Sequence, residues 1–158
     1  MDSTQTNPLR DLLKTQQIAA LGTLHKGHPF VSMVPFAALR DGTGFVIHVS
    51  RLATHTADMA SDPNVSLLVM APPAPDVPPQ ALPRVTIQGQ ATECAETSGL
   101  HAEARAAYLA RFPQSAEMFS FDDFSVFVIQ PTSVRFVGGF AQAASLSPAL
   151  LASILREG

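Results

Sequence analysis

Residues 50–56 read SRLATHT, and Ser50, Arg51, Thr54, His55 and Thr56 all carry hydrogen-bond donors. The apolar runs GFVIHVS before this stretch and VSLLVM after it read as strands, so the donors open a short helix expected over about 52–61. The first turn of a helix presents free backbone N–H groups and the positive end of the helix dipole. Several neutral donors, one or two cations (Arg51, Arg84) and a helix start together suit a phosphate ester. A plain N-cap explains the same residue types, with Ser50 or Thr54 satisfying the helix and His55 at the surface. The residues alone leave both readings open.

The other histidines offer less. His25 and His28 share the turn HKGHP, but no third ligand lies at a recognisable metal spacing, so a solvated turn is expected. His48 sits within the apolar strand FVIHV and reads as a satisfied structural residue. His101 falls on the solvent side of a helix. Gly138–Gly139, after SVRFV, permits positive φ or close approach, and reads locally as a turn or bulge. There is no GxxxxGK[ST] loop, no GxGxxG after a strand, no GxSxG elbow, no HExxH and no paired CxxC. The GTG at 42–44 has no helix after it and reads as a hairpin turn. No catalytic acid, base or metal ligand can be named from these residues.

The elements that must position these groups follow from period and punctuation. QTNPLRDLLKT (5–15) reads as a helix capped by Asn7 with Pro8 at its first position. QQIAALGTL, FVSMVPFAAL, FVIHV and VSLLVM read as strands, and Pro35 places its position at an edge or bulge. APPAPDVPPQALP has too many prolines for a helix or central strand. RVTIQGQATEC alternates as a half-exposed strand. SGLHAEARAAYLARF reads as a helix, PQSAEMFS as a second short one, and FSVFVIQPTSVRFVGGF as one long strand or two joined at Pro131. SPALLASILRE closes the chain as a helix capped by Ser147. Hairpin-length connections imply antiparallel pairing and a closed or partly open barrel.

The 158 residues suit a single domain, with an N-terminal helix at 5–15, a barrel over about 16–140 and a closing helix at 147–157. A formal net charge of −3 gives no basic footprint for nucleic acid. No apolar window approaches membrane-spanning length and no secretory signal is visible. With one cysteine, Cys94, no intrachain disulfide can form, so a cytoplasmic location is expected. The 15% charged fraction is low enough to imply an oligomer that hides part of the surface.

GTLHKGHPFVSMVPFA, VIHVSRLATHTADMASDPNVSLLV, PRVTIQGQAT and FVIQPTSVRFVGGFAQA together resemble the pyridoxamine 5'-phosphate oxidase-like, FMN-binding split-barrel family. They are most similar to its haem-utilisation branch. The resemblance spans about residues 12–148. It implies a mainly β fold, a six-stranded antiparallel barrel with flanking helices, and a homodimer with FMN sites at the interface. It implies that Ser32, Met33, Val34, Pro35 and Phe36 lie along the flavin and ribityl chain, and that His48, Val49 and Ser50 line the ribityl and phosphate end. Thr54 and His55 fall where the family often has an Arg–Lys pair, and Arg84 where a polar residue reaches the flavin from the side. The main expectation is thus an FMN-dependent oxidoreductase acting on an unnamed small molecule, with the chemistry carried by the flavin. The alternatives are haem binding or degradation, and a flavin-binding module without catalysis.

Overall fold

Burial of period two runs through the middle of the chain. In Ile18–His25 (β1), Ala19, Leu21 and Thr23 are buried while Ala20 and Gly22 between them are partly exposed, the pattern of a strand with one covered face. The computed structural model describes residues 1–157. A tight turn at Lys26–Gly27, both with positive φ, leads into His28–Pro35 (β2). Then come Ala37–Ala38 (β3), Phe45–Ser50 (β4), Asn64–Met70 (β5), Arg84–Glu93 (β6), Phe124–Val137 (β7) and Ala143–Leu146 (β8). All pairings are antiparallel, in the order β2-β1-β5-β6-β7-β4-β3, with β8 added to β7.

β2 and β3 stand at opposite ends of this order, yet one residue, Phe36, separates them in sequence. The sheet must therefore curl until its ends meet. Phe36 is fully buried, and its N–H donates to the Gln17 carbonyl at 3.1 Å. The interior is filled by Leu21, Phe45, Ile47, Leu67, Ile87, Ile129 and Phe136, with Leu9, Leu12 and Leu13 near the N-terminus and Leu151, Ile154 and Leu155 near the C-terminus closing one side.

The mainly β split barrel is as expected, but among the described residues it has eight strands, not six. Proline explains one of the two extra: Pro35 has no N–H to continue a ladder, so FVSMVPFAAL divides into β2 and β3. The other, β8, is only four residues long and follows the Gly138–Gly139 turn. β7 passes through Pro131 unbroken because a register shift at Gln88/Gly89 absorbs the irregularity. A Cβ on Gly89 would lie 2.4 Å from the Gln130 carbonyl oxygen, so only glycine permits that approach.

Among the described residues four α-helices flank the sheet: Ser3–Thr15 (α1), Thr54–Ser61 (α2), Gly99–Arg111 (α3) and Pro148–Arg156 (α4). α1 begins earlier than expected. Asp2, not Asn7, accepts the capping bond, from the Thr4 N–H at 3.0 Å, and Pro8 lies inside the helix. Ser98 and Ser147 cap α3 and α4 by accepting from the His101 and Leu150 N–H groups. PQSAEMFS is a 3-10 helix, Pro113–Ser120. α3 covers the outer face of β4 and β7, where Val46, Val126 and Val128 meet Ala104, Ala107 and Tyr108. No helix among the described residues is long and apolar enough to cross a membrane.

Candidate functional site

The start of α2 differs from both sequence readings. Its N-cap is Ala53, and no side chain caps it. Ser50 Oγ instead accepts from the Leu52 N–H at 3.1 Å, and the Thr56 hydroxyl donates to the Ser50 carbonyl. The cations are spent elsewhere. Arg51 Nε donates to Ser125 Oγ at 2.9 Å, and its Nη2 lies 3.7 Å from the Glu93 carboxylate. Arg84 Nη1 donates to the Gln80 and Leu82 carbonyls, both at 3.0 Å, which ties the guanidinium to the proline-rich loop. Burial pushes the His55 imidazole below its ordinary value, with Asp58 opposing the shift. The helix start therefore presents hydroxyls and N–H groups beside an Arg51 already paired with Ser125 and Glu93, with Arg84 held by the loop, a weaker match to a doubly charged phosphate ester than two free cations.

What the fold does bring together is a different group. Along β2, side chains alternate, so His28, Phe30 and Ser32 share the face that leans over α2. Ser32 Oγ and His55 Nδ1 are 2.9 Å apart. One turn along α2 from His55, on the same helix face, stands Asp58. Its Oδ1 is 2.7 Å from His25 Nδ1 and its Oδ2 accepts the Thr23 hydroxyl at 2.8 Å. The His25 and Phe30 rings pack 5.7 Å apart at 44°. Asp58 is 5% exposed and the His25 side chain 42%. Burial raises the Asp58 carboxyl, but the hydrogen bonds from His25 and Thr23, with the nearby charges of His25 and His55, outweigh it and hold the group below the carboxylate range. The result is a ledge with three histidines, a half-exposed phenyl ring and one buried anion.

The remaining expected residues scatter. Val34, Phe36 and Val49 point into the barrel core, and Pro35 ends β2. Met33 projects from the opposite, outer face of β2 and is exposed. His48 lies on the outer face of β4, far from being satisfied. Its ring stacks on Phe119 at 3.9 Å and 7°, with Tyr108 edge-on at 5.8 Å, and its Nδ1 has no partner among the described residues. A cavity of about 30 Å³ lies beside it, lined in part by Cys94, Glu96 and His101. His101 is half-buried and edge-on to Phe119, not on a free solvent side. Nor is HKGHP merely a solvated turn, since Asp58 anchors His25. Sequence reasoning missed Asp58 and Thr23. The one available signal was the three-residue spacing of His55 and Asp58, which marks a shared helix face but not the strand it meets.

A family model described as pyridoxamine 5'-phosphate oxidase matches residues 6–138. A relative from Arabidopsis thaliana, the non-canonical heme oxygenase HOZ, chloroplastic, is 40% identical over 119 residues, 75% of this chain and 35% of that protein. Heme oxygenase HutZ of Vibrio cholerae is 29% identical over 135 residues, 85% of this chain and 74% of that one. Among solved structures, a heme binding protein from Mycobacterium smegmatis has a TM-score of 0.85 and 30% identity, covering 97% of this chain and 62% of that one. This chain thus spans 35% of the plant protein's length and 62% of the mycobacterial one. The expectation of an FMN-dependent oxidoreductase is overturned by these relatives, which are named for haem and not for flavin chemistry, and the commitment of Arg51 and Arg84 elsewhere agrees with that correction.

Proposed function

This chain belongs to the pyridoxamine 5'-phosphate oxidase family, and from that premise we propose that its ligand is haem, bound as substrate or cargo. The observation that carries the reading is the ledge of His25, His28 and His55 beside Phe30 and above α2. Haem needs an apolar wall and an axial donor, and histidine is a common one. The names of the plant, Vibrio and mycobacterial relatives support the same ligand. Degradation of the porphyrin belongs to the same reading and requires an external reductant and dioxygen.

The working unit in this reading is a homodimer. Ile18, Val31, Met33 and Met70 are 54%, 68%, 59% and 49% exposed. Strand register places them on one outer face, around Ala20 and Gly22. Exposed apolar patches of this kind are uncommon on monomers, and a second copy would cover this one.

Titration of the purified chain with ferric haem tests the ligand. A shifted Soret band that saturates at one haem per chain is expected; a spectrum equal to free haem at every ratio refutes it. Adding reductant to the complex in air then tests degradation, which bleaches the band.

A further inference from the structure

The three histidines on the ledge are held differently. His28 is exposed and has no hydrogen-bond partner among the described residues. His55 points Nδ1 at the Ser32 hydroxyl, which can donate or accept and so fits either tautomer. His25 faces a group that can only accept. Asp58 already takes the Thr23 hydroxyl on Oδ2 and lies 2.7 Å from His25 Nδ1 through Oδ1. A proton must therefore sit on Nδ1 in the neutral ring, and the lone pair on Nε2.

Burial sets the direction. The Asp58 side chain is 5% exposed and the His25 side chain 42%, so the anchored edge of the ring is inside and the free edge outside. Phe30 packs against one side of the same ring and is itself 37% exposed. A carboxylate that fixes the tautomer and orientation of an imidazole, and raises its basicity, is the arrangement found behind metal-ligating histidines.

We propose that Nε2 of His25 is the axial ligand of the haem iron, with Asp58 and Thr23 as its positioning residues and Phe30 as an apolar contact for the porphyrin. This rests on the haem reading above. On binding, the Nε2 lone pair forms the bond to ferric iron and a water ligand leaves. The Nδ1 proton stays hydrogen-bonded to Asp58, and no electron is transferred.

The test is resonance Raman of the ferrous complex, which reports the iron–histidine stretch, together with haem titration of each variant. Wild type is expected to show the stretch. His25→Ala loses it, and added imidazole restores the band, which shows that the variant is folded. Asp58→Asn keeps the stretch at lower frequency and weakens haem binding by about tenfold or more, because the ring loses its anionic partner. His101 lies by His48 and away from the ledge, and His101→Ala keeps both band and frequency. Wild-type protein that binds no haem overturns the ligand reading and this inference with it. Wild-type protein that binds haem, with an iron–histidine stretch that persists unchanged in His25→Ala, overturns this inference alone.

Discussion

Replacement of His48 by phenylalanine tests whether the aromatic enclosure on the outer face of β4 has the electrostatic character that its geometry implies. His48 is 7% exposed, stacked on Phe119 and flanked by Tyr108 and Phe124. Burial, followed by the nearby charge of His101, lowers its pKa from 6.5 to about 4. The unfolded chain therefore takes up a proton near pH 6.5, whereas the folded chain does so only near 4. Stability linked to this group is fully present above pH 6.5 and is lost as pH falls from there through about 4. At about 1.4 kcal/mol per pKa unit, the loss between pH 7.5 and pH 4.5 amounts to about 2.5 kcal/mol. His48→Phe keeps a flat ring against Phe119 and removes both the titration and the unpartnered Nδ1. That nitrogen costs about 1–3 kcal/mol when buried alone, which offsets the about 1–3 kcal/mol of overpacking from the larger ring. Urea unfolding followed by circular dichroism at pH 7.5 and 4.5 gives the comparison. The variant should match wild type within about 1 kcal/mol at pH 7.5 and lose about 2.5 kcal/mol less at pH 4.5. Equal losses in the two proteins would refute the reasoning, since every other titrating group is shared.

Three further outcomes follow from particular contacts. Thr23→Val removes the hydroxyl that donates to Asp58 and should cost about 1.5–3 kcal/mol at pH 7 by chemical denaturation. Because Asp58 is held below its unfolded value, its stabilisation is present above that value and lost as pH falls through the folded one; the variant, with that shift reduced, should show less pH-dependent loss in acid. Gly42→Ala places a Cβ 2.6 Å from the Ala152 carbonyl at a φ of +75° and should cost about 2 kcal/mol or more, read as a lower thermal midpoint; an unchanged midpoint would mean that α4 does not pack on this turn. Met33→Asp puts a charge on the exposed apolar face and should yield monomers by light scattering where wild type gives dimers, whereas a wild-type monomer at the same concentration would remove the dimer.

Much of the architecture was legible because it is local. Alternation in RVTIQGQATEC and the Ser147 cap each depend on a few neighbouring residues, and each is where the pattern put it. Errors arose where a local rule met a distant competitor. Asn7 lost the capping role to Asp2, which begins the helix a turn earlier. β8 is too short to announce itself and exists because the turn at Gly138–Gly139 delivers it to the edge of β7.

The candidate site divides along the same line. From sequence alone came the mainly β class, the antiparallel pairing, the donor-rich opening of α2 and the family resemblance that included haem among its alternatives. Composition and spacing could not say which donors were free. Arg51 is committed to Ser125 and Glu93, residues far along the chain, and Arg84 to carbonyls of the loop before it. The pairing of His25 with Asp58 bridges 33 positions. It arises only when the β1–β2 hairpin leans over α2, and hydrogen bonds at that separation depend on how the sheet curls. Period and propensity describe one element at a time, so the tertiary structure alone decided that a histidine in a polar turn stands against a buried carboxylate.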